Sequence, residues 1–270
     1  LIDAVALRYS RNPAANRADL DAAYADAMLK LARQFPDDDD VAVLAAEAAM
    51  NTTPWNYWEA DRKTPVGRSG EAIRLVEAVQ ARNPGHVQAI HLAIHLLEAS
   101  DPRRAEAAAD RLSKPLAPSA AHLVHMPAHI YYARGRYTDS MRVNVAAARA
   151  DEAFIRTAGD KGLVRYGYYP HNIHFIVTSA QMAGDMGTAI REAKRLRAIL
   201  GVTRVEGQRV AARGHKTLRD PHDLVDVVAE RHARAEIEFE RSVHDHFAVR
   251  SAQRAPGNER EVFSAIARPG

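Results

Sequence analysis

Apolar residues recur every three to four positions over most of the first 200 residues, the period of a helix with one buried face. Asn12-Pro13 divides 3–35 into two helices, and Leu20, Tyr24, Met28 and Leu31 mark the buried face of the second, near 18–35. Phe35-Pro36 and the acidic turn from Asp37 to Asp40 end that segment. A third helix over 40–51 carries Val43, Leu44 and Glu47. From Gly70 the pattern is regular, with helices over 70–82, 87–99 and 103–113 closed by Asn83-Pro84-Gly85, by Ser100-Asp101-Pro102 and by Pro115 and Pro118. Between them, 52–69 has no helical period and holds Trp55 and Trp58, both tryptophans of the chain. A loop of this length inside a helical domain is uncommon and often functional.

Pro84 and Pro118 are 34 residues apart, and each follows a pair of helices. Thirty-four is the period of the tetratricopeptide repeat. Gly135-Arg136-Tyr137 and Gly184-Asp185-Met186 occupy the turn within a pair, where that repeat has Gly-x-Tyr. The chain resembles this family over residues 5–200. The resemblance implies an all-α fold: helix–turn–helix units stacked as a right-handed superhelix in a domain spanning 1–200. The period breaks at 52–69 and within 150–169, which contains Tyr166, Tyr168 and Tyr169; both stretches are expected to form lids or walls. A second region, 201–270, starts basic and irregular. Asp220-Pro221 then opens an extra C-terminal helix over 221–247, with an apolar stripe from Leu224 to Val243, followed by a tail.

The chemistry is concentrated in histidine. His122, His125 and His129 stand at spacings of three and four within H-L-V-H-M-P-A-H, His91 and His95 precede Glu98, and His171 and His174 follow. On helices such spacings share one face. The repeat register implied by the resemblance puts His91, His95, Glu98, His122, His125, His129, His171, His174 and Glu47 at positions that line a concave groove. Imidazoles one turn apart offer nitrogens to one ion, and a second helix completes the sphere. His91, His95, His125 and His129 are the expected metal ligands, with His171 and His174 as further ones. His122 is another ligand or a donor to substrate. Glu98 or Glu47 is the expected general base or added ligand, and Tyr131 a proton or oxyanion donor. Zinc is the first choice, with copper, iron or manganese also suited to a cysteine-free donor set.

Three functions follow from this cluster: a metal-dependent hydrolase, a copper- or iron-dependent oxidoreductase on the same residues, or a non-enzymatic scaffold binding a peptide or small ligand in the groove. Pro127 interrupts the central run, so a helix either begins there or bends there, and both re-aim His125 relative to His129. The loop with Trp55, Tyr57 and Trp58 either stacks a flat or sugar-like ligand or plugs the end of the superhelix as core. His86 and the histidines beyond 200 read as ordinary surface or hydrogen-bonded residues.

Composition narrows the field. There is no cysteine, which removes thiolate nucleophiles and disulfides. Net charge is +3 and interspersed, against nucleic acid, which requires a basic stripe. No apolar run is long enough to span a membrane. The phrases H-L-A-I-H-L-L-E, H-L-V-H-M-P-A-H-I-Y and Y-Y-P-H-N-I-H-F together resemble a group of bacterial tetratricopeptide repeat proteins of unassigned function. That resemblance covers residues 30–200 and implies an exported parent protein in which Leu1 is not the natural start.

Overall fold

In a computed structural model, the described residues are 1–114, 116–159 and 162–200; the helix expected over 221–247 and its tail lie outside them. The described chain is all-α. Its helices are α1 (Ile2–Ala6), α2 (Arg17–Gln34), α3 (Asp39–Met50), α4 (Ser69–Arg82), α5 (Val87–Leu97), α6 (Pro102–Leu112), α7 (Ala121–His125), α8 (Pro127–Ala133), α9 (Tyr137–Ala158), α10 (Tyr169–Met182) and α11 (Met186–Ile199), with a π-helix at Val164–Tyr168. They pack in consecutive pairs along the chain, and α5 also touches α3 and α8. Among the described residues no helix is long and apolar enough to cross a membrane.

Local signals set the boundaries. Asn16, Asp38 and Asp185 accept hydrogen bonds from the first-turn amides of Ala18, Val41 and Thr188, satisfying donors that a helix start leaves unpaired. Pro102 and Pro127 sit in the first turn of their helices, where the missing N–H costs nothing. Gly135 and Gly184 have φ of 75° and 78°, the left-handed backbone that turns α8 into α9 and α10 into α11. Alanine builds the core. Ala45, Ala49, Ala72, Ala89 and Ala109 are fully buried, so α3 to α6 approach closely around Ile90, Ile94 and Leu96.

Two features differ from the sequence expectation. The stretch 150–169 is only partly an insertion, because α9 runs on to Ala158 before Gly159 turns it at φ 61°. The alanine-rich run before Asp151 has no breaker to stop it. At Pro127 both expected outcomes occur together: α8 begins there, while Met126 keeps helical backbone (φ −48°, ψ −39°) and joins α7 to α8 as one bent unit.

Candidate metal centre

Six histidines from α5, α7, α8 and α10 meet as two triads. His91, His95 and His122 form one, and His125, His129 and His171 the other; within each, one ligand atom per residue lies within 4.8 Å of the other two. In the first triad His91 Nε2 is 3.0 Å from His95 Nε2 and 3.1 Å from His122 Nε2. In the second His125 Nε2 is 2.8 Å from His129 Nε2 and 2.9 Å from His171 Nε2. The bend at Pro127 lets His125 on α7 and His129 on α8 address one point, while His122 turns back toward α5.

The opposite ring nitrogens determine what those contacts are. His125 Nδ1 lies 2.6 Å from Asn144 Oδ1 on α9, and Asn144 Nδ2 donates to the Ser140 carbonyl at 2.8 Å. That second bond fixes the amide, so Oδ1 accepts and His125 Nδ1 carries the proton. Glu98 acts on both triads: its carboxylate is 2.7 Å from His129 Nδ1 and 3.4 Å from His95 Nδ1. Gln88 Oε1 is 3.1 Å from His91 Nδ1. Four imidazoles therefore hold their proton at Nδ1 and present a bare lone pair at Nε2. Two lone pairs at 2.8–3.0 Å repel unless a cation stands between them.

A proton on His91, His122 or His125 is a poor candidate for that cation. Burial, with His95 and His122 adding to it, holds His91 well below the ordinary imidazole range; burial and then His129 do the same to His125, and burial brings His122 down to about 3. A metal ion fits the same nitrogens. Ligands of a tetrahedral ion at about 2.0–2.1 Å stand roughly 3.3–3.4 Å apart, so a few tenths of an ångström of spreading accommodates it. Burial pushes the Glu98 carboxyl up, but His129 and then His95 hold it well below the usual carboxylate range, so it is ionised. An ionised carboxylate on two Nδ1–H groups is the expected outer partner of metal-binding imidazoles.

The surroundings of the triads differ. Phe175 closes on the second, its ring centroid 4.8–4.9 Å from those of His125, His129 and His171. The first meets Tyr168 at His122, centroid to centroid 4.9 Å, and Trp55 edge-on to His95 at 4.9 Å. His95 and Glu98 also line a cavity of about 550 Å³ whose other wall is Trp55, Tyr57 and Trp58.

The remaining candidate residues lie elsewhere. His174, a turn along α10 from His171, is grouped with neither triad, and burial brings its pKa down to about 4. Glu47 is half-buried on α3 and acts electrostatically on Tyr24, outside the bonds that tie the triads together. The Tyr131 hydroxyl donates to Asp110 at 2.9 Å under the Arg136 guanidinium, in the contact between α6 and α8. His86 caps α5, accepting from the Ala89 amide. The sequence reading did not single out Gln88, Asn144 or Phe175. Gln88 had a usable signal, standing three residues before His91, whereas Asn144 reaches His125 only through the packing of α9. Compared with known proteins, the chain matches no family model, no curated sequence and no solved structure.

Proposed function

We propose that this protein is a metal-dependent enzyme, a hydrolase built on two adjacent three-histidine sites and using zinc first. The observation that carries the reading is the convergence of Nε2 lone pairs whose Nδ1 protons are held by Gln88, Glu98 and Asn144. Three imidazoles leave a fourth position open, the arrangement of catalytic rather than structural zinc. An ion there supplies a Lewis acid and a water acidified toward neutrality. The chain's own residues then have distinct tasks. His91, His95 and His122 hold one ion, His125, His129 and His171 the other, and Glu98 orients a ring in each. Because its carboxyl is held ionised by two N–H donors, Glu98 is a weak base, and positioning is the task we assign to it.

The consecutive helix pairs and the left-handed turns at Gly135 and Gly184 support a tetratricopeptide-like superhelix whose inner face carries these sites. The all-nitrogen donor set supports a second reading, an oxidoreductase with copper or iron in the same triads, because hard carboxylate ligands are absent from both groups.

The test is reconstitution. Metal-stripped protein is loaded in turn with zinc, copper(II) and iron(II), then assayed on 4-nitrophenyl acetate, bis(4-nitrophenyl) phosphate and for oxygen consumption. Hydrolysis that appears with zinc and vanishes in His91→Ala supports the first reading. Oxygen consumption with copper or iron alone replaces it with the second.

A further inference from the structure

The two tryptophans of the 52–69 loop are used differently. Trp58 Nε1 donates to the Leu96 carbonyl at 2.5 Å and its ring packs on the core, while Tyr57 is buried. The loop is closed behind them by backbone bonds from Glu59 N to Thr64 O (2.8 Å) and Val66 N to Tyr57 O (3.0 Å), and by Asp61, which accepts from the Lys63 and Thr64 amides. Trp55 is held out instead. It is 50% exposed, and its backbone has φ 62°, a left-handed conformation that a bulky residue adopts only under constraint. Its ring stands nearly perpendicular to the His95 ring, at 78°, and its indole forms one wall of the 550 Å³ cavity that ends on His95 and Glu98. This large, strained ring touches Tyr57 and His95 and leaves half of its surface open on the cavity side.

Resting on the metal reading above, we propose that this cavity is the substrate-binding half of the first site, and that it takes a small aromatic ring bearing an oxygen donor, stacked on Trp55 with its oxygen toward the His91–His95–His122 triad. A cavity of this size suits a one- or two-ring ligand. The walls favour an aromatic face over a sugar: Trp55, Tyr57 and Trp58 supply π-surfaces, and Glu98, one of the polar groups on the wall, is already bound to His95 and His129. Exposed Glu59 and Arg62 flank the opening.

The probe is 4-nitrocatechol, a phenolic chromophore, titrated into zinc-loaded protein and followed by its visible absorption and by tryptophan fluorescence. Saturable binding with a spectral shift is expected. Trp55→Ala weakens it about tenfold and Trp55→Phe much less, because a ring at that place keeps the stack. Methyl α-D-glucopyranoside does not compete. His91→Ala abolishes the spectral shift but keeps fluorescence quenching, which separates failure at the ion from failure at the cavity. Affinity unchanged in Trp55→Ala, or equal competition by the glucoside, overturns the proposal. Protein that takes up no metal but still quenches through Trp55 refutes the metal reading and retains the aromatic cavity; no quenching overturns both.

Discussion

Each triad is made of three imidazoles and both share Glu98 as a partner, yet they sit in different environments. His125 is fully buried, its outer nitrogen bound to the equally buried Asn144, and Phe175 lies against all three rings of its triad. His91 is oriented instead by half-buried Gln88, and its triad borders the Trp55 cavity. A closed, apolar shell excludes solvent and holds a site rigid; an open cavity leaves room for a substrate. The second triad thus carries the buried His125 and the Phe175 contacts, the first borders the cavity, and Glu98 links the two.

Removing a ligand from each triad breaks the comparison most severely. His125→Ala loses one metal equivalent and destabilises the protein by about 2–4 kcal/mol, because it empties a buried site and strands Asn144 Oδ1. His91→Ala loses the other equivalent with a smaller stability change, since the Gln88 amide it strands is half-buried and can turn to water. Calorimetric unfolding of both variants measures the difference, and equal stability losses would remove the distinction between a closed and an open site.

Glu98→Gln sharpens it. The shorter contact, to His129, keeps the carboxamide oxygen, which turns the new NH₂ toward His95 Nδ1. His95 must then place its proton on Nε2 and give up its ligand lone pair. Affinity falls roughly 10–100-fold at the first triad and much less at the second, as read by competition with a chromophoric zinc chelator. Asn144→Ala does the reverse, weakening the second triad by a similar factor, whereas Gln88→Ala is nearly silent because water can replace a half-buried amide.

Acid stability of the metal-free protein reads the same burial without the ion. His122 falls from the ordinary 6.5 to about 3 and His174 to about 4 on burial, so the unfolded chain binds more protons between those values and 6.5. Stability is thus fully present above about pH 6.5 and declines as pH falls, by about 1.4 kcal/mol per pH unit for each such histidine. Asp151 opposes this, offsetting about one of the two histidines between pH 4 and 6. Burial raises its carboxyl to about 6, so its contribution is fully present below the unfolded value of 3.8 and is lost as pH rises through 6. Denaturant midpoints that do not fall between pH 6.5 and 4.5 would contradict these burial effects, and zinc should steepen the acid transition by requiring ligand protonation.

Much of this site was legible in the chain itself. Helix boundaries followed from Pro36, Pro84, Pro102 and the two turn glycines, because caps and breakers are local. The histidine pairs at turn spacing announced shared faces for the same reason. Which histidine joins which triad was not legible: His122 and His125 are one turn apart on α7 yet serve different sites, a partition made by α5 on one side and the α8 bend on the other. Asn144 was invisible because 19 residues and a helix–helix contact separate it from His125. The expectations for Glu47 and Tyr131 came from repeat register and residue type. The structure gives Tyr131 to Asp110 and places Glu47 near Tyr24.

Two separate metal sites require two equivalents of metal, each lost on its own. Wild-type protein, His91→Ala, His125→Ala and the double variant are dialysed against zinc, then buffer, and their metal content is measured by plasma mass spectrometry with folding checked by circular dichroism. Two equivalents, one, one and none are expected. A folded wild type that retains no zinc, copper or iron, or single variants that each lose all metal, would contradict this.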